Sequence, residues 1–335
     1  MKRSGVLAAG NWIVDHVKLI DAFPDEDALV FISEQSSANG GGPYNLLKDL
    51  SKLDAGFPLQ AAGIVGDDPD GQWILEDCRA HGIDTDRLRP TDRAPTSFTD
   101  VMSVKATGRR TFFHQPGTNA LLDDSDVEFA GSGSEFFYLG YLLLLEKLDQ
   151  PDDDGNTGAS RLLKRASDAG FHTVVDLVSV HMGNFREVVL PSLPVTDTLF
   201  LNELEAGALL DRSISEDDAG ELMAAAHAVL KLGVRCRVIV HSACGSVVVS
   251  ADGNSAQHGS LRLPPGELKG AAGAGDAFAA GVILGFHQKK SLEECLRFGA
   301  CSAAGCLTHP TTSGGVKDLE SSLALGEQFG FRDFS

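Results

Sequence analysis

The sequence predicts an α/β fold built on a mainly parallel sheet that helices cover on both faces. From residue 136 onward, short apolar runs alternate with stretches of helical period, which is typical of repeated strand–helix units. Several of the predicted strands end in glycine or a polar residue, and such strand ends hold ligands in sheets of this kind. No linker or internal repeat divides the chain, so we expect one domain over residues 1–335.

The composition argues against several classes of function. The chain has 335 residues, of which 43% are hydrophobic, and a formal net charge of -19. Because so acidic a chain is repelled by polyanions, we expect no nucleic-acid partner and no membrane partner. The six cysteines form no C-x-x-C pair, and no apolar window reaches the length of a membrane span. Together with the lack of a recognisable signal peptide, these features predict a soluble cytoplasmic protein with free thiols.

Two segments near the N-terminus contain candidate ligand contacts. A predicted strand over residues 6–9 is followed by polar side chains, and three consecutive glycines precede a predicted helix that stops at Gly56. Glycine lets backbone approach a ligand closely, and an asparagine side chain both donates and accepts hydrogen bonds. The candidate residues are Asn11, Asp15, Gly41, Gly42 and Asn45. The alternative is that these residues only cap turns and begin a helix.

Two further segments are predicted to form a flap of exposed strands. The stretch at about residues 15–38 lacks helical period, and the stretch at about 96–116 alternates as a hairpin across Thr107 and Gly108. Arg110 stands next to another arginine at the tip of this hairpin. It is a candidate for binding an anionic group, and the alternative is that the pair lies in solvent.

The rest of the chain follows the alternating pattern. The predicted strands cover residues 59–65, 136–139, 173–176, 198–201, 238–240 and 246–250, and the predicted helices cover residues 71–81, 160–169, 215–232 and 292–307. We expect one more helix after Asp123 and Asp124. Asn202 and Glu205 directly follow a predicted strand and lie about one helical turn apart, so they share a face.

The most informative segment is Gly273-Ala274-Gly275-Asp276, which opens an apolar helix. The glycines allow a tight turn that presents backbone N–H groups, and the helix adds unpaired N–H donors and the positive end of its dipole. Together these features predict an anion hole suited to a phosphate. Asp276 at its mouth would accept a proton from a hydroxyl that attacks the phosphorus. The alternative is a plain strand–helix corner in which Asp276 caps the helix.

In their order, these segments resemble the ribokinase-like (PfkB) carbohydrate kinase family over nearly the whole chain. Gly40-Gly41-Gly42-Pro43-Tyr44-Asn45 is similar to the glycine signature of that family, and Gly63-Ile64-Val65-Gly66-Asp67-Asp68 with Gly71 is similar to its next segment. Asn202 and Glu205 match the N-x-x-E motif, and Gly273 to Asp276 match G-A-G-D. The resemblance implies a ribokinase-like three-layer sandwich with a mainly parallel central sheet and a small β lid formed by the two flap segments.

The resemblance also implies an ATP-dependent kinase that phosphorylates a hydroxymethyl group of a sugar, with ATP as co-substrate and Mg²⁺ as cofactor. Asp276 would be the general base, and the backbone of Gly273, Ala274 and Gly275 would stabilise the transferring phosphoryl group. Asn202 and Glu205 would place Mg²⁺. The sugar would be held by Asn11, Asp15, Gly41, Gly42, Asn45 and Arg110, and the nucleotide by Asn202, Ser242, Gly245, Gly273 and Gly275.

Departures from the family pattern leave alternatives open. Gly270, Ala271 and Ala272 stand where the family usually has an Asp-Thr pair, so we expect little activation by K⁺. Ser242 replaces a usual glycine, and apolar residues follow Asp176. One alternative is a nucleoside kinase, in which Trp12, Phe31 and Phe113 would form a wall for the base. The other is a binding or regulatory relative that has lost catalysis. The identity of the sugar and the pairing of lids into a homodimer stay open.

Overall fold

The computed structural model describes residues 3–107, 109–179 and 184–335, which form a large sheet, a small sheet and helices. The strands are β1 (Val6–Gly10), β2 (Ile13–Ile20), β3 (Ile32–Gly40), β4 (Leu59–Gly66), β5 (Asp84–Thr91), β6 (Ser97–Val104), β7 (Arg110–Gln115), β8 (Phe136–Leu142), β9 (His172–Leu177), β10 (Thr198–Asn202), β11 (Arg237–His241), β12 (Gly245–Ser250) and β13 (Ser255–Gly259). The helices are α1 (Gly42–Lys52), α2 (Pro69–Ala80), α3 (Gly158–Asp168), α4 (Phe185–Val189), α5 (Glu203–Leu210), α6 (Ala219–Leu230), α7 (Ala274–His287), α8 (Leu292–Leu307) and α9 (Leu319–Phe329). Among the described residues, no helix is long and apolar enough to cross a membrane.

The large sheet is mainly parallel. In the described part of the chain its nine strands follow the order β13-β12-β11-β10-β9-β8-β1-β4-β5. In this order, every neighbouring pair between β11 and β5 is parallel. Strand β12 pairs antiparallel with both β11 and β13. Because the carboxyl ends of parallel strands meet at one edge, the segments that follow β1, β8, β9, β10 and β11 converge there.

The small sheet, called the lid below, occupies the two segments that the resemblance predicts as a lid. Its described strands follow the order β3-β2-β6-β7, in which β2 pairs antiparallel with β3 and parallel with β6, and β6 pairs antiparallel with β7. These strands fall in the two segments that the sequence predicts as exposed strands. Gly108, which is predicted at the hairpin tip, lies outside the described residues. The lid segments keep large apolar side chains exposed, among them Leu29 at 79% and Phe31 at 76%.

The core lies on both faces of the large sheet. On β1, Leu7 and Ala9 belong to a buried cluster that includes residues of α3 and α6. Val6 and Ala8 belong to a second cluster that includes residues of α1, α7 and α8. Because the side chains of a strand point alternately to its two faces, this division shows that helices cover both sides of the sheet, as the sequence predicts.

Some predicted elements differ from those in the structure. The helix expected after Asp123 is only a short 3₁₀ turn, Asp124–Asp126, in which Asp123 and Asp126 cap each other's backbone. The helix predicted from residue 215 begins at Ala219, because the side chain of Asp218 accepts the N–H of Glu221 and caps the helix there. Strands β5 and β13 were not predicted, because these edge strands are polar and lack an apolar run. Helices α4 and α9 were not predicted either.

Candidate active site

Helix α7 begins with an open first turn. Gly273 precedes it with a φ of 81°, a left-handed conformation that favours glycine, and a Cβ there would lie 2.5 Å from the carbonyl oxygen of Thr312. No side chain caps the helix, and no acceptor among the described residues takes the N–H of Gly275 or Asp276. Unpaired N–H groups at a helix N-terminus bind anions, so this turn can hold a phosphate.

The carboxylate of Asp276 lies in this first turn and is held by two side chains from distant parts of the chain. The hydroxyl of Tyr141 donates to Oδ1 and to Oδ2 at 2.7 Å each, and Nδ2 of Asn45 donates to Oδ2 at 2.8 Å. Burial raises the pKa of Asp276 from 3.8 to about 6, while the hydrogen bonds from Tyr141 and Asn45 lower it. A carboxyl group with a pKa near neutrality can exchange a proton with a ligand hydroxyl.

The side chain of Asn45 is fixed by a polar network behind it. Its Oδ1 accepts a hydrogen bond from Nδ2 of Asn39 at 2.7 Å, and Asn39 also donates to Oγ of Ser313 at 2.9 Å. Oγ1 of Thr312 donates to the carbonyl of Asn39 at 2.5 Å. The network joins the end of β3, the start of α1 and the loop after α8, so three segments position the amide that contacts Asp276.

The glycine cluster brings the start of α1 against the end of β1. Gly41 has a φ of 86°, and a Cβ there would collide with the carbonyl of Asn11. The side chain of Asn11 is fully buried: its Nδ2 donates to the carbonyl of Leu144 at 2.9 Å, and its Oδ1 accepts the backbone N–H of Tyr141. In this structure Asn11 therefore fixes the segment that carries Tyr141. Its contact with a sugar stays a prediction.

Asp15 and Arg110 approach the site from the lid. Asp15, on β2, has a pKa raised to about 7, chiefly by burial. A hydrogen bond from Thr99 lowers this pKa, the negative charge of Asp276 raises it, and the positive charge of Arg110 lowers it. Arg110, at the start of β7, donates from Nη2 to the carbonyl of Pro310 at 2.9 Å. Arg110 thus links the lid to the loop beside the anion hole.

Asn202 and Glu205 form a capping box at the start of α5. Oδ1 of Asn202 accepts the N–H of Glu205 at 2.9 Å, and Oε2 of Glu205 accepts the N–H of Asn202 at 2.8 Å. The hydroxyl of Ser179 donates to Oε1 of Glu205 at 2.9 Å. Burial raises the pKa of Glu205. Burial also raises the pKa of Asp176, and the negative charges of Asp276 and Glu205 raise it further. The carboxyl, amide and hydroxyl oxygens gathered here are the ligand type that Mg²⁺ prefers.

A cavity of about 670 Å³ opens beside the anion hole. Four of the predicted nucleotide residues line it, namely Asn202, Ser242, Gly245 and Gly275. Its apolar wall is formed by Leu261, Leu263, Leu268 and Leu307. An apolar wall next to an anion hole suits a nucleotide, with the base on the wall and the phosphates at the start of α7.

The aromatic residues considered for a nucleoside base do not form a common wall. Trp12 is fully buried in the core, and its Nε1 donates to the carbonyl of Ala62 at 3.0 Å. Phe31 and Phe113 lie on the lid and are largely exposed, and Phe113 stacks on Phe23. The prediction that Trp12 contributes to such a wall is therefore wrong.

Sequence reasoning missed three contributors to the site. Tyr141 directly follows Gly140 on β8, and this glycine followed by a polar group near a strand end is a signal that could have marked it. Asn39 and Thr312 contact each other across 273 residues, and no local pattern indicates such a contact.

Comparison with known proteins shows the family. The family described as pfkB family carbohydrate kinase matches residues 6–318, so the chain belongs to this family. Ribokinase of Arabidopsis thaliana is 24% identical over 328 residues, covering 96% of this chain and 80% of the relative. The 5-dehydro-2-deoxygluconokinase of Clostridium perfringens is 24% identical over 301 residues, covering 87% of this chain and 85% of the relative.

Solved structures share the fold. The structure of Arabidopsis thaliana ribokinase complexed with ribose and ATP has a TM-score of 0.77 at 23% identity and covers 97% of this chain and 99% of its own. The nucleoside kinase of Methanocaldococcus jannaschii has a TM-score of 0.73 at 18% identity, covering 98% and 99%. The predicted resemblance and the ribokinase-like fold class are thereby confirmed. Because both a ribokinase and a nucleoside kinase have this fold, the fold alone does not select the acceptor.

Proposed function

We propose that the protein is an ATP-dependent carbohydrate kinase that transfers the γ-phosphoryl group of ATP to a hydroxymethyl hydroxyl. The observation that carries this proposal is the position of Asp276 at the open start of α7, between a cavity of nucleotide size and the lid carboxyl of Asp15. A carboxylate beside an anion hole suits proton abstraction from a hydroxyl that attacks a bound phosphate. Membership of the pfkB family supports it.

In the proposed reaction, Asp276 takes the proton of the acceptor hydroxyl while the hydroxyl oxygen attacks the phosphorus in line. The N–H groups of Gly275 and Asp276, with the helix dipole, offset the charge on the transferring phosphoryl group. Asn45 keeps the carboxylate in place, and the hydrogen bond that it accepts from Asn39 restricts its own movement. In this proposal the lid, once closed over the acceptor, excludes water that would compete with it.

Asn202 and Glu205 are the residues proposed to place Mg²⁺. The oxygen donors around them fit this ion, and the two side chains share the first turn of α5. Since both side chains already bond to each other's backbone, we infer that they hold the ion through water. When bound, Mg²⁺ would neutralise charge on the nucleotide phosphates.

The acceptor is proposed to lie between the lid and the glycine cluster. An ionised Asp15 can accept hydrogen bonds from two vicinal hydroxyls, an arrangement that suits a sugar. Its neighbours in this role are Gly41, Gly42, Asn45 and Arg110, and Asn11 contributes by holding the adjoining segment. The buried position of Trp12 removes part of the aromatic wall that a nucleoside would need, which favours a sugar.

We also propose that the lid pairs with a second copy of the chain. The exposed apolar side chains on the lid segments include Phe23, Leu29, Phe31, Ile32 and Phe112, and such patches mark interaction surfaces. Sedimentation analysis should give a dimer for the wild type and a monomer for the double variant Leu29→Asp, Phe31→Asp. A monomeric wild type would contradict this pairing.

The six free thiols support a cytoplasmic location.

The proposed function is tested by an acceptor screen in which release of ADP from ATP is coupled to a spectrophotometric signal. Sugars, polyols and nucleosides are supplied one at a time, and ³¹P NMR identifies the phosphorylated product. We expect ADP release that depends on a sugar. Turnover confined to nucleosides would replace the proposal by the nucleoside kinase alternative. ATP binding without turnover on any acceptor would favour the binding or regulatory alternative.

A further inference from the structure

The hydrogen bonds to Asp276 distinguish its two carboxylate oxygens. The one hydroxyl proton of Tyr141 is shared by Oδ1 and Oδ2, and in the described part of the chain Asn45 donates a further hydrogen bond to Oδ2 but not to Oδ1. An ionised carboxylate offers about four acceptor positions, two on each oxygen. Oδ2 therefore receives one more donor than Oδ1, and Oδ1 offers the more open position for a further hydrogen bond.

We propose that Tyr141 is a positioning residue that, together with Asn45, holds Asp276 so that Oδ1 alone takes the proton of the acceptor hydroxyl. This inference rests on the proposed kinase function. Tyr141 is itself fixed on two sides. Its backbone N–H donates to Oδ1 of the buried Asn11, and its ring lies against Gly42, where a Cβ would be 3.1 Å from Cε1. The phenol hydroxyl thus comes from a rigid support, as a preorganised site requires.

The surroundings of Asp276 give the Tyr141 hydroxyl a measurable effect. The titratable groups that face Asp276 from the elements packed around it are Asp15 on β2, Asp49 on α1, Tyr138 on β8, Asp176 on β9 and Cys306 on α8. Burial opposes ionisation of Asp276, while the hydrogen bonds from Tyr141 and Asn45 favour it. Burial holds the pKa of Tyr141 well above its usual value, so its hydroxyl stays protonated and donates to the ionised carboxylate. Loss of this donor should raise the pKa of Asp276.

The experiment compares Tyr141→Phe with Tyr138→Phe. Tyr138 is the matched control because it lies on the same strand, is fully buried and donates its hydroxyl to Asp176 at 3.1 Å instead of to Asp276. Each substitution removes one oxygen and keeps the ring, and thermal unfolding checks that both variants fold. The titration of Asp276 is followed by ¹³C NMR of protein labelled at the aspartate carboxyl carbons. Its signal is assigned by its absence in Asp276→Asn.

We expect Tyr141→Phe to raise the Asp276 midpoint by about one pH unit, in keeping with one charge-assisted hydrogen bond, and Tyr138→Phe to leave it in place. Only the ionised form of Asp276 can take the proton. A midpoint one pH unit above that of the wild type should therefore lower kcat at pH 6 about fivefold in Tyr141→Phe, while the acceptor KM changes little. An unchanged midpoint in Tyr141→Phe, or an equal shift in both variants, would overturn the inference. If the wild type turns over no acceptor, the proposed function fails, and the NMR titration still tests the Tyr141 contact.

Discussion

The side-chain amide of Asn45 donates a 2.8 Å hydrogen bond to the carboxylate of Asp276, although the two residues lie 231 positions apart. Asn45 belongs to the first turns of α1 and Asp276 to the first turn of α7, and the two helices pack against each other. The glycine clusters at Gly40–Gly42 and Gly273–Gly275 therefore meet at one site. The position of the proposed base depends on both ends of the fold.

Replacing Asp15 by alanine should raise the acceptor KM and leave the ATP KM nearly unchanged. A hydrogen bond to a charged group contributes roughly 1.5–3 kcal/mol, so each lost bond to a sugar hydroxyl should raise the KM about tenfold or more. Asp100→Ala is the control, because Asp100 is also a lid aspartate but pairs with Lys18. Steady-state kinetics and melting temperatures of both variants check this. A rise in the ATP KM alone would show that the two ligand sites are exchanged.

Replacing Arg110 by leucine should weaken the hold of the lid on the loop beside the anion hole. The hydrogen bond to the carbonyl of Pro310 is lost, and a bond of about 1 kcal/mol corresponds to a rise of about fivefold in the acceptor KM. Arg109→Leu is the matched control, because Arg109 is the adjacent arginine and is exposed. Equal acceptor KM values for the two variants would contradict this role and would indicate that Arg110, like Arg109, only lies in solvent at the hairpin tip.

Activity should require Mg²⁺ and respond weakly to K⁺. The requirement follows from the oxygen donors at Asn202 and Glu205 beside the nucleotide cavity. The weak response follows from Gly270, Ala271 and Ala272, whose side chains offer no oxygen to a monovalent cation. The measurement is a titration of KCl against tetramethylammonium chloride at fixed ionic strength, with EDTA as the Mg²⁺ control. A large and saturable activation by K⁺ would show that backbone carbonyls alone build a cation site.

The stability of the fold should fall as Asp276 ionises. Its pKa is raised from 3.8 to about 6, so the folded state binds this proton more tightly than the unfolded state. The protonated carboxyl group of Asp276 stabilises the fold fully below about pH 3.8, and this contribution is lost as the pH rises through about 6. The free energy of unfolding should change by about 3 kcal/mol in total, at 1.36 kcal/mol per pH unit.

The variant Asp276→Asn lacks this titration and should therefore gain in melting temperature relative to the wild type as the pH rises from 5 to 8. Scanning calorimetry at several pH values measures the difference. Asp100→Asn, in the lid, should show no such trend. A difference between Asp276→Asn and wild type that stays constant with pH would mean that burial of the ionised carboxyl costs nothing.

Much of the fold could be predicted because its buried elements carry local signals. Strands β1, β8 and β10 are apolar runs that end near glycine or a polar residue, and they lie within a few residues of their predicted bounds. The edge strands β5 and β13 carry no apolar run, because solvent or the last loops face them. Burial produced the pattern where prediction succeeded, and the lack of an apolar run explains why β5 and β13 were missed.

The candidate site could be predicted in part. Asp276, Asn45 and Asp15 stand in or beside motifs, and the structure brings all three to one region. Tyr141 could not be assigned to Asp276 from the sequence, because the two residues are 135 positions apart and only the tertiary structure joins them. Spacing along the chain indicates which face a residue occupies, but the partner across that face is set by tertiary structure.

The measurement that tests the central claim most directly is the turnover and nucleotide binding of Asp276→Asn. The amide keeps the shape of the side chain but cannot take the acceptor proton, so kcat should fall by on the order of 10²–10⁴. The affinity for ATP, measured by calorimetry without acceptor, should stay near that of the wild type, because the N–H groups of the anion hole are backbone groups. Turnover close to wild type would contradict the assignment of Asp276 as the base.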